Sequence, residues 1–126
     1  MKPLIGGLFL LAATTQANAQ KKLGALISLD SAFQQVEVKK NASFGVLVQV
    51  QSGTGYNWDL ATPPAKCRFT ESKITEAATL PGAKETRLMV FKATESGLDS
   101  IRFVYRRAWE TDSKPQSERV LAVTIQ

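Results

Sequence analysis

Ser43-Phe44-Gly45-Val46-Leu47-Val48-Gln49-Val50-Gln51 decides the reading of this chain. Phe44, Val46, Val48 and Val50 recur at every second residue, so an extended strand gathers them on one face, and three of the four are β-branched. A helix would scatter the same side chains around its circumference. The period of two continues downstream. Ile101, Phe103 and Tyr105 share one face of a later segment, as do Leu121, Val123 and Ile125.

Turn-forming residues separate these runs: Lys39-Lys40-Asn41, Ser52-Gly53, Pro63-Pro64, Leu80-Pro81-Gly82, Ser96-Gly97 and Asp112-Ser113-Lys114-Pro115. Strands are predicted at Leu26–Leu29, Gln34–Lys39, Ser43–Gln51, Tyr56–Leu60, Cys67–Thr75, Glu85–Ala93, Ser100–Trp109 and Glu118–Ile125, with room for a short helix around Thr75–Thr79. About seven or eight short strands with frequent turns predict an all-β chain folded as one immunoglobulin-like antiparallel β-sandwich. The pair of cysteines that bridges the sheets of a true immunoglobulin domain is absent, since Cys67 is the only cysteine. No internal repeat or long linker divides the chain.

At 126 residues the chain holds one domain. Met1-Lys2-Pro3, the apolar run Leu4 to Ala13 and the small residues of Ala17-Asn18-Ala19 form a signal-peptide pattern, with cleavage expected after Ala19. About ten strongly apolar residues are too few for a membrane span, which takes roughly 20. Residues 20–126 are then the mature domain, periplasmic or secreted, with no membrane attachment after signal removal. Losing Lys2 lowers the formal charge from +5 to +4. That charge is spread through the sequence without a basic, aromatic-rich run, so no nucleic-acid partner is expected. With no His and one Cys, the chain cannot build a Ser-His-Asp triad, a Cys-His dyad or the usual His/Cys zinc cage without help from another chain. The acidic residues Asp30, Glu71, Glu76, Glu110 and Asp112 fall into no acid/base or metal-ligand spacing. Neither an enzyme nor a bound metal or cofactor is expected, and Cys67 reads as a structural thiol.

Three segments in or beside predicted loops attract attention. In Gln51-Ser52-Gly53-Thr54-Gly55-Tyr56-Asn57-Trp58, two glycines bracket a Thr and let a partner approach the backbone. The same residues equally fit a tight turn with Tyr56 and Trp58 pointing into the core. Leu80-Pro81-Gly82-Ala83-Lys84-Glu85-Thr86 is by itself only a loop. Tyr105-Arg106-Arg107-Ala108-Trp109-Glu110 ends a strand in two Arg and a Trp, the residue types most enriched at interface hot spots, or a Trp closing the core with an Arg stacked on it.

Taken in order, the three segments resemble the loops of the chagasin family of cysteine-protease inhibitors: an Asn-Pro-Thr-Thr-Gly-Tyr/Phe-x-Trp loop, a Gly-x-Gly-Gly loop and an Arg-Pro-Trp loop. The matching stretches are Gln51 to Trp58, Gly82 to Glu85 and Arg107 to Trp109, and the resemblance runs from about Gln34 to Ile125. Thr54, Gly55, Tyr56, Trp58, Gly82, Arg107 and Trp109 keep the pattern. Gln51, Ser52 and Gly53 replace Asn, Pro and Thr, Lys84 and Glu85 replace two glycines, and Ala108 replaces Pro.

The resemblance implies a reversible, steric inhibitor of papain-like cysteine proteases that acts as a monomer. Gly53, Thr54 and Gly55 would sit over the protease's nucleophile, with Ser52, Tyr56 and Trp58 as further protease-binding residues of that loop, while Gly82, Ala83, Lys84, Glu85, Arg107, Ala108 and Trp109 would grip the cleft walls. The altered tips leave a second reading, a non-inhibitory periplasmic or secreted protein-binding module on the same scaffold.

Overall fold

The structure is a computed structural model that describes residues 23–51, 53–77, 83–110 and 114–126. Eight strands follow one another: β1 (Ala25–Ser28), β2 (Phe33–Val38), β3 (Ser43–Gln51), β4 (Tyr56–Leu60), β5 (Cys67–Glu76), β6 (Lys84–Ala93), β7 (Gly97–Arg107) and β8 (Ser117–Ile125). They form two four-stranded sheets, ordered β1-β3-β6-β5 and β2-β8-β7-β4. The expected all-β immunoglobulin-like sandwich is the observed fold.

Alternation of side chains builds the core between the sheets. Phe44, Val46, Val48 and Val50 of β3 are all buried, and across from them Ile101 and Phe103 of β7 and Leu121 and Val123 of β8 are sealed from solvent. Phe91 sits at the centre: its ring stacks on Phe44 at 5.5 Å and meets Phe103 edge-on at 6.1 Å. Cys67 is buried among these residues and is a free thiol. Burial and the neighbouring Asp99, which accepts its hydrogen bond, push that thiol from 9.0 up to about 12. The same Asp99 carboxylate takes the backbone N–H of Lys66 at 2.7 Å and of Ser100 at 2.8 Å, so it also ties the entry of β5 to β7.

Two pairings depart from the antiparallel expectation. β1 lies parallel to β3, and β2 lies parallel to β8. The chain opens on an edge of one sheet, crosses at residues 29–32 and continues on an edge of the other. Gln34 fastens this crossing, donating from Nε2 to the Ser28 carbonyl at 2.9 Å and accepting the Asp30 and Ser31 N–H groups on Oε1. Arg119 of β8 donates to the Leu29 carbonyl.

Other boundaries also shift. β7 stops at Arg107, so Trp109 lies in a turn beyond the strand. Strand β5 continues through Thr75 and Glu76, where a short helix was allowed; its register slips twice against β6, at Phe69/Glu71 and Ile74/Glu76. Residues 78 and 79 of that candidate helix, and the whole of 1–19, lie outside the described residues. Among the described residues no helix is long and apolar enough to cross a membrane.

Candidate functional site

Strand register brings the three singled-out segments to one end of the sandwich. Gln51 at the end of β3 pairs with Lys84 at the start of β6, and Tyr56 at the start of β4 pairs with Arg107 at the end of β7. Tyr105 pairs with Ser117, which opens β8. The connections β3–β4, β5–β6 and β7–β8 therefore emerge side by side.

The β3–β4 turn is held by its own threonine. Thr54 Oγ1 donates to the Gln51 carbonyl at 2.8 Å and accepts the Tyr56 N–H at 3.3 Å. Gly53 and Gly55 both have φ of 84°, a conformation glycine adopts without the penalty a Cβ brings. Gly53 has open space around it. Gly55 does not: a Cβ there would meet Trp109 Cη2 at 2.6 Å, so the indole lies directly on the glycine.

Arg107 joins the β3–β4 turn to the β7–β8 turn. Its Nε donates to the Thr54 carbonyl at 3.1 Å, and its guanidinium lies 4.5 Å from the Tyr56 ring centroid and 5.8 Å from that of Trp109. Nη1 is 3.7 Å from Glu110 Oε2, and the Glu110 N–H closes the turn onto the Arg107 carbonyl at 3.1 Å. Each cation–π contact contributes roughly 0.5–1 kcal/mol at such partly exposed sites. Trp109 remains 69% exposed while its position is fixed from two sides.

Below the tip, aromatic rings continue the stack. Tyr56 stacks on Tyr105 at 5.2 Å, Tyr105 meets Trp58 at 4.9 Å, and the Arg119 guanidinium lies 4.8 Å over Trp58. Trp58 Nε1 donates to the Gln49 carbonyl at 3.1 Å, and Tyr105 OH accepts the Gln51 N–H at 3.1 Å. These two side chains from one sheet cap the edge of β3 where β1 has ended, so the strand carrying the tip cannot slide.

The singled-out residues thus divide. Gly53, Gly55, Ala108 and Trp109 are exposed at the tip, with Thr54, Tyr56 and Arg107 partly buried behind them. Ser52 and Gly82 lie outside the described residues. Trp58 departs from the expectation of a contact residue: at 5% exposure it belongs to the core and supports the turn from below. The opposite option for Trp109, a core-closing ring, is overturned by its exposure. Ala83 and Lys84 border the β5–β6 connection, with Lys84 exposed, whereas Glu85 has the inward parity of Val50. Its side chain is only 13% exposed and meets Arg87 Nη2 at 3.5 Å.

Tyr105, Glu110 and Arg119 were not among the predicted site residues. The available signal was parity: Tyr105 follows Phe103 and Arg119 precedes Leu121 on inward faces, and a polar group aimed inward must find a partner. Among the described residues no group of His, Cys, Asp or Glu side chains is arranged to hold a metal ion.

Fold and tip together define an immunoglobulin-like sandwich that presents adjoining loops at one end. The sequence model of the chagasin family of peptidase inhibitors, I42, matches residues 37–125, and the chain belongs to that family. Similar solved structures include the cysteine protease inhibitor EhICP2 from Entamoeba histolytica, 17% identical with a TM-score of 0.68, the alignment covering 83% of this chain and 100% of that one. Amebosin is 19% identical with a TM-score of 0.64 over 83% and 100% of the two chains. PbICP-C, solved in complex with falcipain-2, is 18% identical with a TM-score of 0.60 over 82% and 100%. A comparison with curated protein sequences finds no match.

Proposed function

We propose that this protein is a reversible, steric inhibitor of papain-like cysteine proteases. Gly53-Thr54-Gly55 would sit over the nucleophile, and Trp109 with Ala108 would rest on one wall of the cleft. Ala83 and Lys84 would approach the other wall. The observation that carries this reading is the junction of Trp109, Gly55 and Arg107, which holds an exposed apolar ring beside a glycine-edged turn. Ordering that is already present in the free protein need not be supplied on binding, so such a tip binds more tightly than a flexible peptide of the same contacts. The inhibitor contributes no covalent chemistry. Family membership and the described complex of a structural relative with falcipain-2 support the choice of target class.

Residues 20–126 would act as a monomer in the periplasm or outside the cell after cleavage at Ala19, a reading that rests on the signal-peptide pattern of Met1–Ala19. Mass spectrometry of the exported protein would test it, and a mass that retains Met1–Ala19 would count against it.

The second reading, a non-inhibitory binding module, is favoured by Lys84 and Glu85 at the β5–β6 connection and by Gly53 in place of a side chain. Titration of residues 20–126 into papain and a cathepsin-L-like enzyme, with a small fluorogenic substrate, separates the two. Competitive inhibition that rises with dose is expected. A folded domain that leaves both enzymes active at micromolar concentration would turn the search to another partner.

A further inference from the structure

The first two residues of β6 carry opposite charges on opposite faces. Glu85 pairs with Val50 and turns between the sheets, where Arg87 stands beside it; Lys84 pairs with Gln51 and turns outward. The other described cations of the tip and its support are engaged within the molecule. Arg107 holds Thr54 and Glu110, Arg87 meets Glu85, and Arg119 covers Trp58. Lys84 has no carboxylate within ion-pair distance among the described residues. It borders an open cavity of about 630 Å³ whose wall also includes the polar Gln49, Gln51, Thr86 and Tyr105, with Asp30 and Arg119 as its other charged residues.

From this sorting of charge we infer that Lys84 determines which proteases the protein engages, by pairing with a carboxylate on the cleft wall opposite the one that Trp109 covers. The inference rests on the inhibitor reading and extends it. An unneutralised ammonium at the rim of a docking surface acts over a Debye length, so it speeds encounter with an acidic wall and slows encounter with a basic one. Glu85 adds little of the opposite sign at the surface, because it faces inward and is answered by Arg87. Lys84 thus supplies external charge while its neighbour Glu85 supplies internal structure.

The test compares wild type, Lys84→Ala and Lys84→Glu by stopped-flow association and steady-state inhibition with papain and a cathepsin-L-like enzyme. Measurements are made at low salt and at about 1 M NaCl, where screening acts within roughly 3 Å. Thermal unfolding serves as the folding control, and Lys84 is exposed enough that all three should melt alike. The expected result is a fall in association rate of about tenfold for Lys84→Glu with at least one enzyme at low salt, an intermediate value for Lys84→Ala, and convergence at high salt. Replacing the facing enzyme carboxylate by Lys should restore Lys84→Glu. If wild type inhibits and the three proteins associate at the same rate with both enzymes, the role of Lys84 is overturned while the inhibitor reading stands. If wild type inhibits neither enzyme, both fall together.

Discussion

Trp109 lies on Gly55 so closely that the smallest possible side chain would collide with it: a Cβ at residue 55 would stand 2.6 Å from Cη2 and 3.2 Å from Cζ3 of the indole. Gly53, two residues away and with the same φ, has nothing within 4 Å. The pair separates backbone strain from steric contact. Gly53→Ala should cost about 1 kcal/mol of stability, the left-handed penalty alone. Gly55→Ala should cost a similar amount and in addition displace Trp109, which acrylamide quenching of tryptophan fluorescence would register. Equal quenching in both variants would dissolve the distinction.

Trp109→Ala should weaken inhibition by about 2 kcal/mol or more, roughly 30-fold, if the ring is the apolar anchor. Because the ring is 69% exposed, the melting temperature should hardly move. An unchanged inhibition constant would remove Trp109 from the contact surface.

Arg107→Lys keeps the charge but loses the planar group that lies over Tyr56 and the Nε that reaches the Thr54 carbonyl. Inhibition should fall about tenfold as the two turns come apart. Glu110→Gln is the companion measurement. It removes only a 3.7 Å partly exposed ion pair, worth less than about 1 kcal/mol, so inhibition should stay near wild type. The two variants behaving alike would mean that charge, and not the shape of the guanidinium, holds the tip.

Phe91 touches Phe44, Phe69 and Phe103 and is wholly buried. Phe91→Ala should cost about 3–5 kcal/mol in denaturant unfolding, against a total of about 5–15 for a domain of this size. A loss below 1 kcal/mol would show that the core collapses around the gap.

The buried Cys67 thiol sets a limit at high pH. Its folded pKa is raised above the unfolded value, so folding favours the protonated form; that contribution is complete below about pH 9 and disappears as pH climbs toward about 12. Wild type should lose stability across this window more steeply than Cys67→Ala, as followed by melting temperature against pH. Parallel curves would show that Cys67 titrates alike in both states. Native protein should also resist alkylation that the unfolded chain undergoes readily.

The period of two reads faces well, and β3 and β4 appear in the structure with the boundaries that the sequence predicts. It says nothing of partners. Nothing in Ala25–Ser28 or Phe33–Val38 distinguishes a parallel neighbour from an antiparallel one, because alternation is the same in either ladder. The site was legible to a matching depth. Tyr56 and Trp58 share a parity, yet one lies beneath the tip and the other in the core; distance from the sheet's end separates them, and that requires register. Glu85 was readable as inward-facing from its parity with Phe91, but a family comparison that sees it in place of a glycine draws the eye to the surface instead. The predicted strand Ser100–Trp109 overruns β7 at its end, because the turn closed by the Glu110 N–H on the Arg107 carbonyl stops the strand at Arg107.

β8 follows every other strand in chain order and yet lies inside its sheet, between β2 and β7. A ribosome makes β2 long before β8 exists, so β2 waits without a ladder partner while most of the domain is being synthesised. Closure of the β2-β8-β7-β4 sheet is thereby deferred until the final strand emerges.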